Sequence, residues 1–182
     1  KRRPARPRYP AAIERIFRKE MRAYIRKYIN LIKQQLLPKL PDLIARAGQL
    51  RPDGVRSDAW AEDLAELINS ITFMFSGEIN NMNKKVEEIA KQVATYNKAD
   101  VNRVIRSVLG VDVLASEPWL QSQIEWFITT TRPLIKDLPT KATFQIEQIA
   151  QRGLGMGKTY KEIGEEITKQ FGIAERRAEL IA

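Results

Sequence analysis

The 182-residue chain contains neither cysteine nor histidine. These absences exclude disulfides, thiol nucleophiles, cysteine-containing zinc sites and every catalytic dyad or triad that needs a histidine base. No apolar run approaches the roughly 18 residues that a membrane-spanning helix requires. We therefore expect a protein that is not an enzyme, with no metal site, no cofactor, no small-molecule substrate and no membrane partner.

The composition is that of a globular protein, with 43% hydrophobic and 29% charged residues. Several segments place apolar residues at steps of three and four, which is typical of amphipathic helices, and none shows the alternation of period two that predicts strands. The sequence therefore predicts an all-α fold, an elongated multi-helix assembly that carries a basic extended N-terminal arm.

Positive charge is concentrated in the first third of the chain. Residues 1–56 contain 16 Lys and Arg against 4 Asp and Glu, whereas residues 57–182 contain 15 against 18. A positive excess confined to one segment indicates an anionic partner, such as nucleic acid, a lipid surface or an acidic protein patch. Arginine outnumbers lysine there, which favours phosphate or carboxylate partners over a simple lipid charge field.

Two parts of this segment supply candidate binding residues. Residues 1–10 combine five basic residues with three prolines and should form an extended arm. From Ala11 to about Leu37 an amphipathic helix is predicted, ended by Pro38 and Pro41, with a cationic stripe opposite its apolar face. The candidates for binding duplex DNA or an acidic protein surface are Lys1, Arg2, Arg3, Arg6 and Arg8 in the arm and Arg15, Arg18, Lys19, Arg22 and Arg26 in the stripe.

The pattern divides the chain into the arm at 1–10, a cationic helix with a linker at 11–56, and a helical domain at 57–182. The Pro- and Gly-containing linker, 38–56, is long enough for one short helix. Beyond the linker, a first helix is predicted from Ser57 or Asp58 to about Val93, with a kink at Gly77, and a second after Asn97 that stops at Gly110. Further helices are predicted from Pro118 and over Ala142 to Gln151. Thr159 should cap another helix over Tyr160 to Gln170, which Gly172 closes, and a last helix begins at Ile173.

Proline and glycine should separate the later helices, with breaks at Pro133, Pro139 and Gly172. Thr159 and Glu162 have the spacing of a capping box. Apolar residues on these helices are expected to face the core. They include Val101, Val104, Ile105, Val108 and Phe144, and core packing is also the default prediction for Trp60, Trp119 and Trp126.

The segment from Gly153 to Thr159 superficially resembles a phosphate-binding loop. A Walker A motif requires glycine where Arg152 stands, and it follows a strand rather than a helix. We interpret the segment as a connection between two helices.

Residues 119–182, and above all 153–182, resemble the conserved end of the phage minor head protein family, also called head morphogenesis or Mu F-like proteins. That family has a helix of the form G-x-S/T-x-x-E-I, followed by F-G-I-S-x-x-R-A-E-x-I-A-R-T-E. Here Ala174 stands where the family has serine, and the final Arg-Thr-Glu is not in the sequence. The matching residues are Gly157, Thr159, Glu162, Ile163, Ile167, Phe171, Gly172, Arg177, Ala178 and Ile181.

The resemblance implies a structural protein of the virion that associates with the portal protein and supports head assembly, DNA packaging or ejection. It implies packing and capping roles for the motif residues, with viral DNA and the major capsid protein as further candidate partners. The location would be the capsid interior or portal vertex, after assembly in the host cytoplasm. Two other hypotheses stay open: a free-standing helical nucleic-acid-binding module, and an enzyme whose catalytic domain lies beyond Ala182.

Overall fold

The computed structural model describes residues 5–48, 59–110 and 118–182 and is all-α over these ranges. The described residues form five α-helices and one short 3₁₀ turn, with no strand among them. The helices are α1 (Ala11–Gln35), α2 (Leu40–Ala47), α3 (Ala59–Leu109), α4 (Pro118–Gly155) and α5 (Tyr160–Ile181), and the 3₁₀ turn is Leu37–Lys39. The predicted turn at 52–54, the predicted cap at 57–58 and the side chain of Trp119 lie outside the described residues.

The first helix follows its predicted pattern closely. Its buried side chains recur at steps of three and four, and it ends at Gln35, shortly before Pro38, which cannot donate a backbone hydrogen bond. The buried residues of α1 are Phe17, Met21, Tyr24, Ile25, Tyr28, Ile29 and Ile32. The predicted linker does contain a short helix, α2, which buries Leu40, Leu43 and Ala47.

Helix α3 replaces the two helices that the sequence predicted. It runs for 51 residues without interruption, about 77 Å at 1.5 Å per residue. The predicted boundary near Asn97 was wrong because nothing there breaks a helix, and the glycine at Gly77 costs roughly 1 kcal/mol without preventing one. The predicted stop was right: Gly110 has a φ of 75° and its N–H donates to the Arg106 carbonyl.

Helix α4 begins at the predicted Pro118 but continues through Pro133 and Pro139, so the predicted breaks were wrong. A proline leaves unpaired the carbonyl four residues before it. For Pro139 that carbonyl belongs to Ile135, and the buried hydroxyl of Tyr24 donates to it at 3.1 Å. For Pro133 the carbonyl belongs to Thr129, which is exposed. Pro139 is therefore tolerated because Tyr24 supplies the missing donor, and Pro133 because the carbonyl that it leaves unpaired belongs to an exposed residue.

The last helix also continues past its predicted end. Gly172 lies inside α5 on the exposed side, where a glycine weakens a helix without stopping it. At the start of α5 the capping box of Thr159 and Glu162 is present as predicted.

The helices share one core, to which every α-helix contributes. Phe17 of α1 contacts Phe127 of α4, and Tyr24, further along α1, contacts Ile135, further along α4. The two helices therefore run parallel. Arg22 of α1 pairs with Glu179 of α5, whereas Lys33, later in α1, lies against Phe171, earlier in α5. These two helices are therefore antiparallel. The division of the chain at residue 57 stays a prediction; the buried side chains of α1 lie in the same cluster as those of α3, α4 and α5.

Candidate binding surfaces

The cationic stripe of α1 lies beside α5, whose carboxylates neutralise part of it. Arg22 Nε is 2.8 Å from Glu179 Oε1, and Arg26 Nε is 3.3 Å from Glu175 Oε1. Arg18 pairs with Glu14 one turn earlier in its own helix. The three arginine side chains are 48–65% exposed, so the pairs are individually weak, each worth at most about 1 kcal/mol.

The remaining stripe residues are exposed on the same helix. Arg15 donates from Nε to the Ala11 carbonyl at 3.2 Å, and Lys19 is exposed. Lys33, a further cation of α1 outside these five, places its ammonium 5.5 Å from the centre of the Phe171 ring, a cation–π arrangement. The structure thus places all five predicted stripe residues on the surface, and three of them form ion pairs within the protein.

The arm is held against α3 over residues 5–10. The N–H of Ala5 donates to Ser107 Oγ at 3.0 Å, and the N–H of Arg8 donates to Asp100 Oδ2 at 2.9 Å. The guanidinium of Arg103 donates to the carbonyl of Arg6 at 2.6 Å. Hydrogen bonds from the Arg8 backbone and then from Arg103 hold the pKa of Asp100 below its ordinary value. Lys1, Arg2 and Arg3 lie outside the described residues.

These arm contacts leave the side chains of Arg6 and Arg8 exposed. A backbone-mediated attachment therefore presents two of the predicted cations to solvent. No pattern in the sequence singles out Asp100 and Ser107 as the residues that hold the arm, so this attachment was missed.

A groove of about 350 Å³ opens beside the arm, between α3 and α4. We call it the arm groove. Its lining includes Pro7, Val93, Val101, Ile124, Trp126 and Phe127. Trp126 is 68% exposed, so the prediction that it packs in the core was wrong. No other helix of the described residues covers Trp126 on the outer side of α4. Trp60, which is half-buried, does pack against the core.

Other residues predicted to face inward also lie at the surface. Val101 is 36% exposed, Val108 48% and Phe144 59%, whereas Val104 and Ile105 are half-buried. Periodicity alone assigns these residues to an apolar face. For Val101 and Val108, periodicity cannot show that α3 extends beyond the described helices that would cover that face.

The predicted C-terminal motif forms the connection into α5 and the inner face of that helix. Gly157 has a φ of 70°, and the N–H groups of Lys158 and Gly157 donate to the carbonyls of Gly153 and Leu154. These two bonds form a Schellman motif, which satisfies carbonyls at the end of α4. Ile163, Ile167, Phe171 and Ala178 are buried, Ile181 is half-buried, and Gly172 and Arg177 are exposed.

The capping box is reciprocal. The N–H of Thr159 donates to Glu162 Oε2 at 2.8 Å, and the N–H of Glu162 donates to Thr159 Oγ1 at 3.4 Å. The hydrogen bonds from Thr159, led by its backbone N–H, hold the pKa of Glu162 below its ordinary value. The box stays formed while Glu162 is ionised.

The phosphate-loop-like segment is a helix–helix connection, as predicted. Its lysine, Lys158, pairs with Glu166 at 2.5 Å, and its first glycine, Gly153, lies inside α4. A Cβ added at Gly153 would lie 2.5 Å from Ile163 Cγ1 and 2.8 Å from its Cδ1. This glycine therefore allows α4 and α5 to approach each other closely.

Within residues 5–48, 59–110 and 118–182, no group of three or more acidic side chains is arranged to hold a metal ion. None of the described helices is both long and apolar enough to cross a membrane. Comparisons with models of protein families, with curated proteins and with solved structures find no match for this chain.

Proposed function

We propose that this chain is a structural minor capsid protein of a tailed bacteriophage, which associates with the portal and supports head assembly, DNA packaging or ejection. The observation that carries the proposal is the role of the C-terminal motif in the fold. Its glycine, capping box and buried face join α5 to the core, which fits the packing and capping roles that the family resemblance implies.

The outer side of the same helix supports contact with a large partner. Lys169, Arg176 and Leu180 are exposed, and their spacing of seven and then four residues places them on one stripe of α5. Leu180 is 85% exposed. A leucine beside cations suits a protein surface that is partly acidic and partly apolar. We assign portal contact to this stripe.

The proposal is tested by co-expressing the full chain with its cognate portal protein and purifying the portal at low and moderate salt. Co-purification is expected. A variant with Arg176→Glu and Leu180→Glu should lose association while keeping its helical circular dichroism, whereas Lys136→Glu on the exposed side of α4 should retain it.

The outcomes separate the function from the assigned surface. If both proteins are folded and do not associate at either salt concentration, the proposed function is wrong. If association survives the α5 double substitution, portal binding stands but the contact stripe lies elsewhere.

The exposed cations of α1 favour a second candidate, a nucleic-acid-binding module. One side of α1 carries Arg15, Lys19, Arg22 and Arg26. Two of these arginines already form ion pairs, Arg22 with Glu179 and Arg26 with Glu175. Duplex DNA would have to compete with those carboxylates for them. Binding through phosphates depends little on base sequence and weakens steeply with salt.

This candidate makes its own measurable prediction. Replacing Glu175 and Glu179 by glutamine should free Arg22 and Arg26 and strengthen DNA binding. The slope of log affinity against log salt should steepen by about 0.9 for each additional phosphate that these arginines neutralise.

Deleting residues 1–10 should flatten this salt dependence if the arm binds DNA. If the arm binds the portal, the deletion should weaken portal association instead. If neither binding responds to either change, the cations of α1 and the arm serve neither partner.

A further inference from the structure

The arm groove combines an apolar lining with an exposed indole. Val93, Val101 and Ile124 supply aliphatic surface, and Trp126 lies beside them with 68% of its surface exposed. Its volume of about 350 Å³ is near the lower limit for pockets that bind organic groups. The groove therefore suits one or two apolar side chains of a partner.

The surroundings of the groove are cationic. Residues 5–10, 97–110 and 118–130 contain five Lys and Arg but only two carboxylates, Asp100 and Glu125. Asp100 already accepts hydrogen bonds from the Arg8 backbone and from Arg103, while the side chains of Arg6 and Arg8 are exposed. The exposed side chains of Arg6 and Arg8 therefore give this side of the groove a positive charge, which is complementary to an acidic partner.

We propose that the arm groove binds an acidic segment of a partner protein. The segment inserts an apolar side chain against Trp126, and its carboxylates face Arg6 and Arg8. Protein interfaces commonly have a large apolar anchor at the centre and charged pairs at the rim. The anchor supplies most of the affinity.

The lining favours a peptide over single-stranded nucleic acid. Nucleic acid is held by successive aromatic rings on which bases stack. Among the described lining residues, Trp126 presents the exposed ring, because Phe127 is half-buried and packs edge-on against Phe17 with ring centres 6.2 Å apart. Aliphatic side chains form much of the remaining lining and give a base nothing to stack on.

The test uses the full chain and a fluorescein-labelled synthetic peptide with a central Leu-Phe pair flanked by glutamates. Fluorescence anisotropy should show saturable binding that weakens with salt. Acrylamide quenching of tryptophan fluorescence should fall on binding, because the peptide covers Trp126. A matched peptide with lysines in place of the glutamates, and one with alanines in place of Leu-Phe, should bind at least about tenfold more weakly.

Two substitutions place the binding site. Trp126→Ala and the double change Arg6→Glu with Arg8→Glu should each weaken binding of the acidic peptide by about tenfold or more. Phe73→Ala is the matched control, because Phe73 is 81% exposed on α3 away from the groove. All substituted side chains are exposed, so the helical circular dichroism should not change.

Three results would overturn the proposal: no saturable binding, equal binding of the acidic and lysine peptides, or binding insensitive to both groove variants. Binding of oligo-dT that is lost with Trp126→Ala would assign the groove to nucleic acid instead. The portal is absent from this experiment, so its outcome does not depend on the proposed function.

Discussion

The two ends of the helical assembly differ in how they bury their side chains. At the core end, residues 59–94 of α3 and 131–155 of α4 pack with α1, α2 and α5. At the open end, which comprises 95–110, 118–130 and the arm at 5–10, none of the described side chains is buried. The same two long helices therefore supply a core in one half and an accessible surface in the other.

The difference follows from the number of helices at each end. Where α1 and α5 lie against α3 and α4, each helix buries its apolar stripe against neighbours. Beyond Phe17 and Phe127, the arm covers α3 among the residues that the structure describes, and it is attached largely through backbone hydrogen bonds. We expect stability to depend on the core end and recognition on the open end.

The largest contrast should come from one substitution made at both ends of α3. Leu64 is fully buried, whereas Leu109 is 63% exposed. Leu64→Ala removes buried apolar volume and should lower the free energy of unfolding by about 2–5 kcal/mol. Leu109→Ala should change it by less than about 0.5 kcal/mol. Urea denaturation followed by circular dichroism measures both, and equal effects would refute the division into two ends.

A second contrast tests the close approach of α4 and α5. Gly153→Ala places a Cβ against buried Ile163 and should destabilise the protein by about 1–3 kcal/mol. Gly172→Ala meets nothing within 4 Å inside α5 and should stabilise it by about 0.5–1 kcal/mol. Thermal denaturation should therefore move in opposite directions for the two variants. A shift in the same direction would show that the glycine contact is not what sets the helix spacing.

The third prediction concerns how the core end accommodates a proline. Tyr24→Phe leaves the Ile135 carbonyl without its donor and should cost about 1–3 kcal/mol of stability. Burial raises the pKa of Tyr24 far above its ordinary value, so the hydroxyl remains a donor at neutral pH.

A double-mutant cycle isolates that hydrogen bond. Pro139→Ala restores an N–H that can donate to Ile135 within the helix, so Tyr24→Phe should cost less in this background than in the wild type. Tyr160→Phe is the control, because Tyr160 is half exposed at the start of α5. If the cost of Tyr24→Phe is the same in both backgrounds, Tyr24 does not compensate for the proline.

The sequence predicts features set by local chemistry. Three predictions depend only on neighbouring residues, and the structure confirms them: the core face of α1, the stop at Gly110, and the capping box of Thr159 with Glu162. The all-α class follows from the same periodicity.

The wrong predictions at Pro139 and Trp126 depended on parts of the chain that are distant in sequence. Pro139 is tolerated inside α4 because Tyr24, more than a hundred residues away, donates to Ile135. Trp126 is exposed because no further helix covers that part of α4 among the described residues. The pairing of the stripe with α5 had a signal, since Arg22 and Arg26 share the four-residue spacing of Glu175 and Glu179. That signal is readable once the two helices are known to be antiparallel.

The smallest expected effect on stability belongs to the arm. Asp100→Asn keeps a hydrogen-bond acceptor but removes the charge that Arg8 and Arg103 stabilise. Trypsin should then cleave after Arg8 faster, because the arm leaves α3 more often, while global unfolding stays within about 0.5 kcal/mol of wild type. Asp137→Asn is the control, since Asp137 pairs with Lys141 on α4, away from the arm.

The same contact gives the arm a pH dependence with a defined sign. The pKa of Asp100 is lowered from its ordinary 3.8, so its contribution is complete above that pH and is lost as the pH falls through the lowered value in the docked state. Hydrogen exchange at the N–H of Arg8 can be compared between the wild type and Asp100→Asn from neutral pH downward. At neutral pH the wild type should be more protected than the variant. At acid pH the protection of the two proteins should become equal. Equal protection across the whole range would mean that the charge of Asp100 does not hold the arm, and that Ser107 and Arg103 suffice.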